Sequence, residues 1–275
     1  MNNDAKKHID EAIAELTANL EKGKSDTLLR YLECMSRFNN YSWCNLMLIA
    51  SQFPEATQVA GFRRWKELGR WVRKGEKGIR IIAPMSRRKN QEAGADAPDD
   101  QFVAGFRSVY VFDVSQTDGE SIPELNRPTG DVTDALHRLE TVVVESGITL
   151  IYAPLPEYQD GYSKAGEIGV AERLNPTNRF MTLAHELAHQ WLGHHESKRL
   201  TRKVEETEAE ASAFVVARAC GLNAVTSSSD YIQLYNGDAK LLGESLGRIQ
   251  AVSRRIIEAI GSDDRCVLSS AQLAA

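Results

Sequence analysis

No stretch of the 275-residue chain approaches the ~18 consecutive apolar residues of a membrane-spanning helix. The opening "MNNDAKKHIDEAIAELTANL" alternates charge with Ile and Leu at helical spacing and lacks the apolar core and small-residue cleavage site of a secretory signal. A cytoplasmic location and no membrane partner are therefore expected. Cysteine is scarce: Cys34, Cys44, Cys220 and Cys266 stand far apart with no C-x-x-C pair, the pattern of a reduced chain that uses thiols as small hydrophobes. Internal repeats are missing too. A net charge of −5 points to no general affinity for nucleic acid, although the distribution of that charge argues differently below. With 42% hydrophobic and 26% charged residues, the composition is that of a globular protein, and the length suffices for two domains with real cores.

Residues 4–20 and 25–38 have the periodicity of amphipathic helices, and "YSWCNLMLIASQ" continues as an apolar helix up to Pro54. "GIRIIAP" and "FRSVYVFDV" read as strands. The polar "MSRRKNQEAGADAPDD" between them predicts a mobile loop at about 86–104. "SQTDGESIPELNRPTG", with two prolines and two glycines, predicts the linker. The expected architecture is α+β in two domains, residues 1–125 and 126–275. The second domain opens with a helix at 131–145, followed by strands "GITLIYA" and "EIGVAERL". A helix N-capped by Asn175, with Pro176 at its first position, then runs to Gly193.

That helix carries "HELAHQWLGHH". His185 and His189 lie one turn apart on one face, so both imidazoles reach a single ion, and Glu186 lies beside them within reach of a water on that ion. Zinc held by such donors lowers the pKa of its water from ~15.7 towards ~7, and the glutamate serves as general base. A third protein donor is required. His195 has the spacing of H-E-x-x-H-x-x-G-x-x-H, but position 192 is Leu and the glycine is Gly193. The next helix, "KVEETEAEASAFVVARACGL", offers Glu205, Glu206, Glu208 and Glu210 ahead of an almost wholly apolar run, so some carboxylates point inward. Glu206 and Glu210, one turn apart, match an arrangement in which the first acid binds metal and the second orients a ligand histidine. Glu206 leads, and spacing leaves Glu208 and His195 open.

Between Arg63 and Lys89 lie eleven Lys or Arg residues against two acids, Glu67 and Glu76. Phe62, Trp65 and Trp71 are interleaved with them. Cations track phosphates and aromatic faces stack on unpaired bases, the combination used by single-strand binders. The candidate DNA-binding residues are Arg63, Arg64, Trp65, Lys66, Arg70, Trp71, Arg73, Lys74 and Lys77. The alternative is that Trp65 and Trp71 are core and the charges only solvate a sheet.

"YSWCNLMLIASQFPEATQVAGFRRWKELGRWVRKGEKGIRIIAP" with "VFDVSQTDGESIPEL" resembles the N-terminal single-stranded-DNA-binding domain of the ArdC family of plasmid and phage antirestriction proteins. "TLAHELAHQWLGHH" and "ETEAEASAFVVARACGL" resemble that family's zinc-metallopeptidase-like domain. The resemblance implies carriage on mobile DNA, protection of incoming DNA from restriction, single-stranded DNA as partner, and a fold akin to Spartan-type crosslink proteases. The family's Glu-x-x-Ala-Glu pattern falls on Glu206, Ala209 and Glu210. Three functions follow as expectations. The first is antirestriction by occupying DNA; the second is a zinc metalloendopeptidase of the glutamate-zincin type acting on restriction-enzyme subunits or other DNA-bound or crosslinked proteins. The third is a general peptidase whose basic segment is only structural.

Overall fold

The computed structural model describes residues 3–22, 26–88, 101–121, 131–195, 200–223 and 238–261. They form, in chain order, α1 (Asn3–Glu21), α2 (Asp26–Arg37), α3 (Trp43–Gln52), β1 (Val59–Gly61), α4 (Phe62–Glu67), β2 (Arg70–Val72), β3 (Ile79–Arg88) and β4 (Gln101–Asp113). After a 3-10 turn at Val114–Gln116 come β5 (Thr117–Gly119), α5 (Val132–Glu145), β6 (Thr149–Ala153), β7 (Gly161–Lys164), β8 (Glu167–Ala171), α6 (Pro176–Leu192), α7 (Arg202–Ala219) and α8 (Ala239–Ile260). None of the described helices is long and apolar enough to cross a membrane. By packing, the α+β chain divides into two units: residues 44–122 with 1–12 form the bulk of the first, and 13–43 with 123–267 form the second.

In the first unit, alternation along β3 turns Ile79, Ile81 and Ala83 inward with Val111 of β4. The sheet order is β1-β4-β3, all antiparallel, which leaves β3 at an edge. An open edge exposes unpaired amides, and α3 covers this one with side-chain amides. Asn45 accepts from Ile82 N and donates to Ile82 O, both at 2.9 Å. Gln52 does the same for Arg80, at 3.0 and 2.9 Å. Two helical turns on α3 thus span two residues of strand.

Two expectations are corrected here. Ser86–Arg88 and Gln101–Val103 are paired strand with a bulge at Met85/Ser86, because the hairpin keeps its antiparallel register well into the polar stretch. Residues 89–100 of the expected loop lie outside the described residues. The expected linker begins inside the first unit: Thr117–Gly119 pairs with Arg70–Val72 across a gap in sequence that local patterning does not bridge. Residues 122–130 of that linker also lie outside the described residues.

In the second unit, β8 runs parallel to β6 and antiparallel to the edge strand β7. Helix α6 packs on this sheet and on α5, α7 and α8. Its apolar stripe of Phe180, Leu183, Ala184, Leu187 and Ala188 is fully buried. The facing helix α7 is rich in alanine, with Ala209, Ala211, Ala213 and Ala217 buried. Short side chains let the two axes approach closely, which brings polar residues on α6 and α7 within bonding distance. Among the described residues Cys34, Cys44 and Cys220 are thiols, and burial pushes Cys34 up to about 12.

Candidate functional site

Helix α6 begins as its sequence dictates: the Asn175 side chain accepts from Asn178 N at 2.9 Å, and Pro176 occupies the first turn, where its missing N–H costs nothing. His189 stands four positions after His185, and the helix stacks the two rings on one face with centroids 4.7 Å apart. Helix α7, capped by Thr201, brings the Glu206 carboxylate to both rings. Glu206 Oε2 lies 3.4 Å from His185 Nε2 and 3.5 Å from His189 Nε2, and the two nitrogens are 3.0 Å apart. A tetrahedral ion with bonds of about 2.0–2.1 Å has ligand atoms about 3.3–3.5 Å apart, the size of the two edges to Glu206, while the 3.0 Å edge between the two nitrogens is a little short of it. Among the described residues, these three form the one cluster able to hold a metal.

The charge of the cluster favours a cation at its centre. Burial pulls His185 down, but hydrogen bonds to Glu206 and Glu210 carry it up to about 9. The same histidines hold the Glu206 carboxyl well below the usual carboxylate range. Burial pulls His189 below its ordinary value, against the hydrogen bond it donates to Glu206. Glu210, one turn beyond Glu206, reaches the other side of the first ring, 3.4 Å from His185 Nδ1.

Glu186 is buried, and burial pushes its carboxyl up to about 7. It makes no hydrogen bond to any described residue. Gly161 on β7 makes room for it: a Cβ at that position would stand 3.0 Å from Glu186 Oε1 and 2.5 Å from Thr182 Cγ2.

The other two candidates for a third donor point elsewhere. Glu208, two residues from Glu206, is turned about 200° around α7 and is fully buried away from the triangle. It accepts from Ser245 and Arg248 of α8. His195 Nε2 bonds Ser163 Oγ of β7 at 2.8 Å. His194, which the motif reading passes over, is buried and bonds His189, Nδ1 to Nδ1, at 2.8 Å. The signal for it was Gly193. At φ 69° this glycine closes a Schellman turn, with His194 N bonded to His189 O at 3.2 Å, and folds the next residue back onto the helix end.

The basic segment of the first unit is partly committed to its own structure. Arg63, Lys66, Lys74 and Lys77 are exposed and ion-paired to no described residue. Arg64 bonds Glu67 at 3.0 Å, and Arg73 bonds Glu76 at 2.7 Å and reaches Asp118 at 3.5 Å. The Arg70 guanidinium donates to Thr117 Oγ1, Thr117 O, Gly119 O and Glu120 O, bracing β2 against β5. Trp65 requires a correction: it is only 2% exposed and its indole N–H donates to Phe112 O at 2.8 Å, so its ring belongs to the core and is closed to a base. Trp71 is 60% exposed. The sequence reading missed Phe106 and Tyr110, both exposed, which the alternation of "FRSVYVF" sets on one face of β4; Tyr110 pairs across the sheet with Arg80.

Residues 3–112 match the family described as the N-terminal domain of anti-restriction factor ArdC, and residues 144–225 match the IrrE N-terminal-like domain of peptidase family M78. The chain is 24% identical over 303 aligned residues to pXO2-81, an uncharacterized protein of Bacillus anthracis, covering 94% of this chain and 51% of that one. It therefore spans about half the length of that relative. The antirestriction ArdC protein from plasmid R388 has the same fold, in a metal-free crystal structure (TM-score 0.56, 18% identity, 94% of this chain and 99% of that one) and in a Mn(II)-bound one (0.57, 19%, 93% and 99%).

Proposed function

Since the chain belongs to the ArdC family, joining an ArdC N-terminal domain to an IrrE-like peptidase domain, we propose that it protects the DNA of a mobile element from restriction by binding single-stranded DNA, and that its second unit carries a divalent metal site of peptidase type. The observation that carries the metal reading is the triangle of His185 Nε2, His189 Nε2 and Glu206 Oε2, with distances of 3.0, 3.4 and 3.5 Å. Two imidazoles and a carboxylate suit zinc, and also manganese, the ion named for the R388 protein. A divalent ion held there would polarise a peptide carbonyl and acidify the attacking water.

The chain's own residues supply the rest. His185 and His189 present their Nε2 atoms, and Glu210 fixes the first ring through its Nδ1. Glu186 takes the proton of the attacking water and delivers it to the leaving amine nitrogen. The relief at Gly161 gives that carboxylate room to move between the two positions. In the first unit, Arg63, Lys66, Lys74 and Lys77 follow phosphates while Trp71 stacks on a base.

A second reading, a DNA-dependent protease acting on DNA-bound or crosslinked proteins, is favoured by Glu186 itself, since a purely structural metal site needs no general base. The test of both is purified protein, with and without single-stranded DNA, assayed for cleavage of DNA-bound proteins and of itself, together with Glu186→Gln in a restriction-efficiency assay. Protection that survives in Glu186→Gln assigns antirestriction to DNA occupancy. Protection lost in a folded, DNA-binding Glu186→Gln assigns it to proteolysis, and a wild-type chain that neither protects nor binds single strands refutes the proposal.

A further inference from the structure

The buried face of His189 leads into a chain of polar groups that the peptidase chemistry does not use. His189 Nδ1 lies 2.8 Å from His194 Nδ1. His194 Nε2 lies 3.3 Å from Glu208 Oε2. Glu208 in turn accepts from the Ser245 hydroxyl and from the Arg248 guanidinium, whose Nε is 3.0 Å from both carboxylate oxygens. Glu208 is fully buried and His194 nearly so. The five groups come from α6, the turn after it, α7 and α8.

We infer that His194 is a positioning residue for His189, the link through which Glu208 selects the tautomer and fixes the ring angle of that metal donor. The inference rests on the metal reading above. Both Glu208 oxygens accept from the Arg248 guanidinium and one also from the Ser245 hydroxyl, so the nitrogen facing that carboxylate, His194 Nε2, must carry the proton. In the singly protonated ring that metal ligation of His189 Nε2 calls for, His194 Nδ1 is then a bare lone pair and also only accepts. The proton of the 2.8 Å contact therefore sits on His189 Nδ1, which leaves His189 Nε2 deprotonated towards Glu206 and His185. The opposite assignment sets the lone pair of His194 Nε2 against a carboxylate and puts a proton on the nitrogen that must bind metal. A carboxylate usually holds the second nitrogen of a ligand histidine directly. Glu210 does this for His185, whereas Glu208 acts on His189 at one imidazole's remove. The Schellman turn at Gly193 is what makes the relay short enough: it returns His194 to the ring five residues before it.

A role confined to holding three helices together would lower stability and leave metal affinity alone, so the test reads both. In the zinc-loaded full chain, labelled with 15N-histidine, the expected result is a scalar coupling across the hydrogen bond between the two Nδ1 atoms, with His194 as the Nε2–H tautomer. His194 protonated at Nδ1 overturns the inference. Because this measurement uses the wild-type protein, it stands even if a variant does not fold. Competition against a chromogenic zinc chelator is the second arm. His194→Phe, which fills the space without accepting, should raise the zinc Kd about 10- to 100-fold. His194→Asn, whose Oδ1 takes the place of Nδ1, should recover most of that loss, with the melting temperature of each metal-free variant reporting the fold. Wild-type protein that binds zinc alongside a His194→Phe that binds it equally overturns the inference alone. Wild-type protein that binds no zinc overturns the metal reading and this inference with it.

Discussion

The carboxylate of Glu186 faces the backbone of Gly161 so closely that a single methyl group on that glycine would stand 3.0 Å from Oε1. The same methyl would meet Thr182 Cγ2 at 2.5 Å. Gly161→Ala should therefore overpack this corner and lower stability by about 1–3 kcal/mol. His185, His189 and Glu206 are untouched by the change, so the zinc content should stay at the wild-type level. Denaturant melts with metal analysis of the same preparations check both parts; an unaltered melt would mean that β7 gives way freely and the site is less rigid than it looks.

The donor assignment predicts a graded series in metal content. His185→Ala should lose zinc and Glu186→Gln should keep it, since Glu186 holds a proton and not the ion. Glu206→Ala should lose most of it. Glu210→Ala should weaken binding about 10- to 100-fold by releasing His185 Nδ1. Zinc retained in full by Glu206→Ala would sink the third-donor assignment.

Binding of that ion should appear as stability of the second unit. At a free zinc concentration one hundred times Kd, the gain is about 2.7 kcal/mol, removable by a chelator. The shift should be present in Glu186→Gln and absent in His185→Ala, read by calorimetry with and without metal.

The two tryptophans of the basic segment should part company. Trp71→Ala should cost about 1–3 kcal/mol of single-strand affinity with the melt unchanged. Trp65→Ala should cost about 3–5 kcal/mol of folding stability instead. Titration of labelled single and double strands at several salt concentrations, with a melt of each variant, separates the outcomes. Equal affinity of the wild-type chain for both forms of DNA would remove stacking from the account altogether.

Among the cations, a similar division is expected. Charge reversal at Arg63, Lys66, Lys74 and Lys77 should flatten the dependence of DNA affinity on salt. Arg70→Ala should mainly loosen β2 from β5, at about 1.5–3 kcal/mol, because its guanidinium is bonded to Thr117 and Gly119. A salt slope that changes as much for Arg70→Ala as for Lys74→Glu would contradict this.

What could be read directly from the sequence was whatever is encoded locally. The cap at Asn175, the proline after it, the stop at Gly193 and the spacing of His185 and His189 all act within a turn or two, and each stands where the pattern put it. The choice between Glu206 and Glu208 was not local. The residues differ by about 200° around one helix, and which of them meets α6 depends on α8, whose Ser245 and Arg248 claim Glu208. The same holds for the tryptophans. Both sit among cations, but Trp65 lies on the face of α4 that turns to Phe112, forty-seven residues away in sequence, while Trp71 lies on a two-stranded ribbon whose partner is equally remote. His194 was hidden for a different reason: its role depends on the left-handed turn at Gly193, whose effect is geometric and leaves no periodic signature.

The side-chain amides of Asn45 and Gln52 have a bearing on crowding. A protein that gathers in many copies along one polymer brings its own sheets side by side at high local concentration, the condition under which open strands zip together. Here the outer rail of β3 at Arg80 and Ile82 is already occupied from within the same molecule. A strand brought alongside finds the backbone of those two residues already engaged, so pairing at that part of the edge has nothing to graft onto.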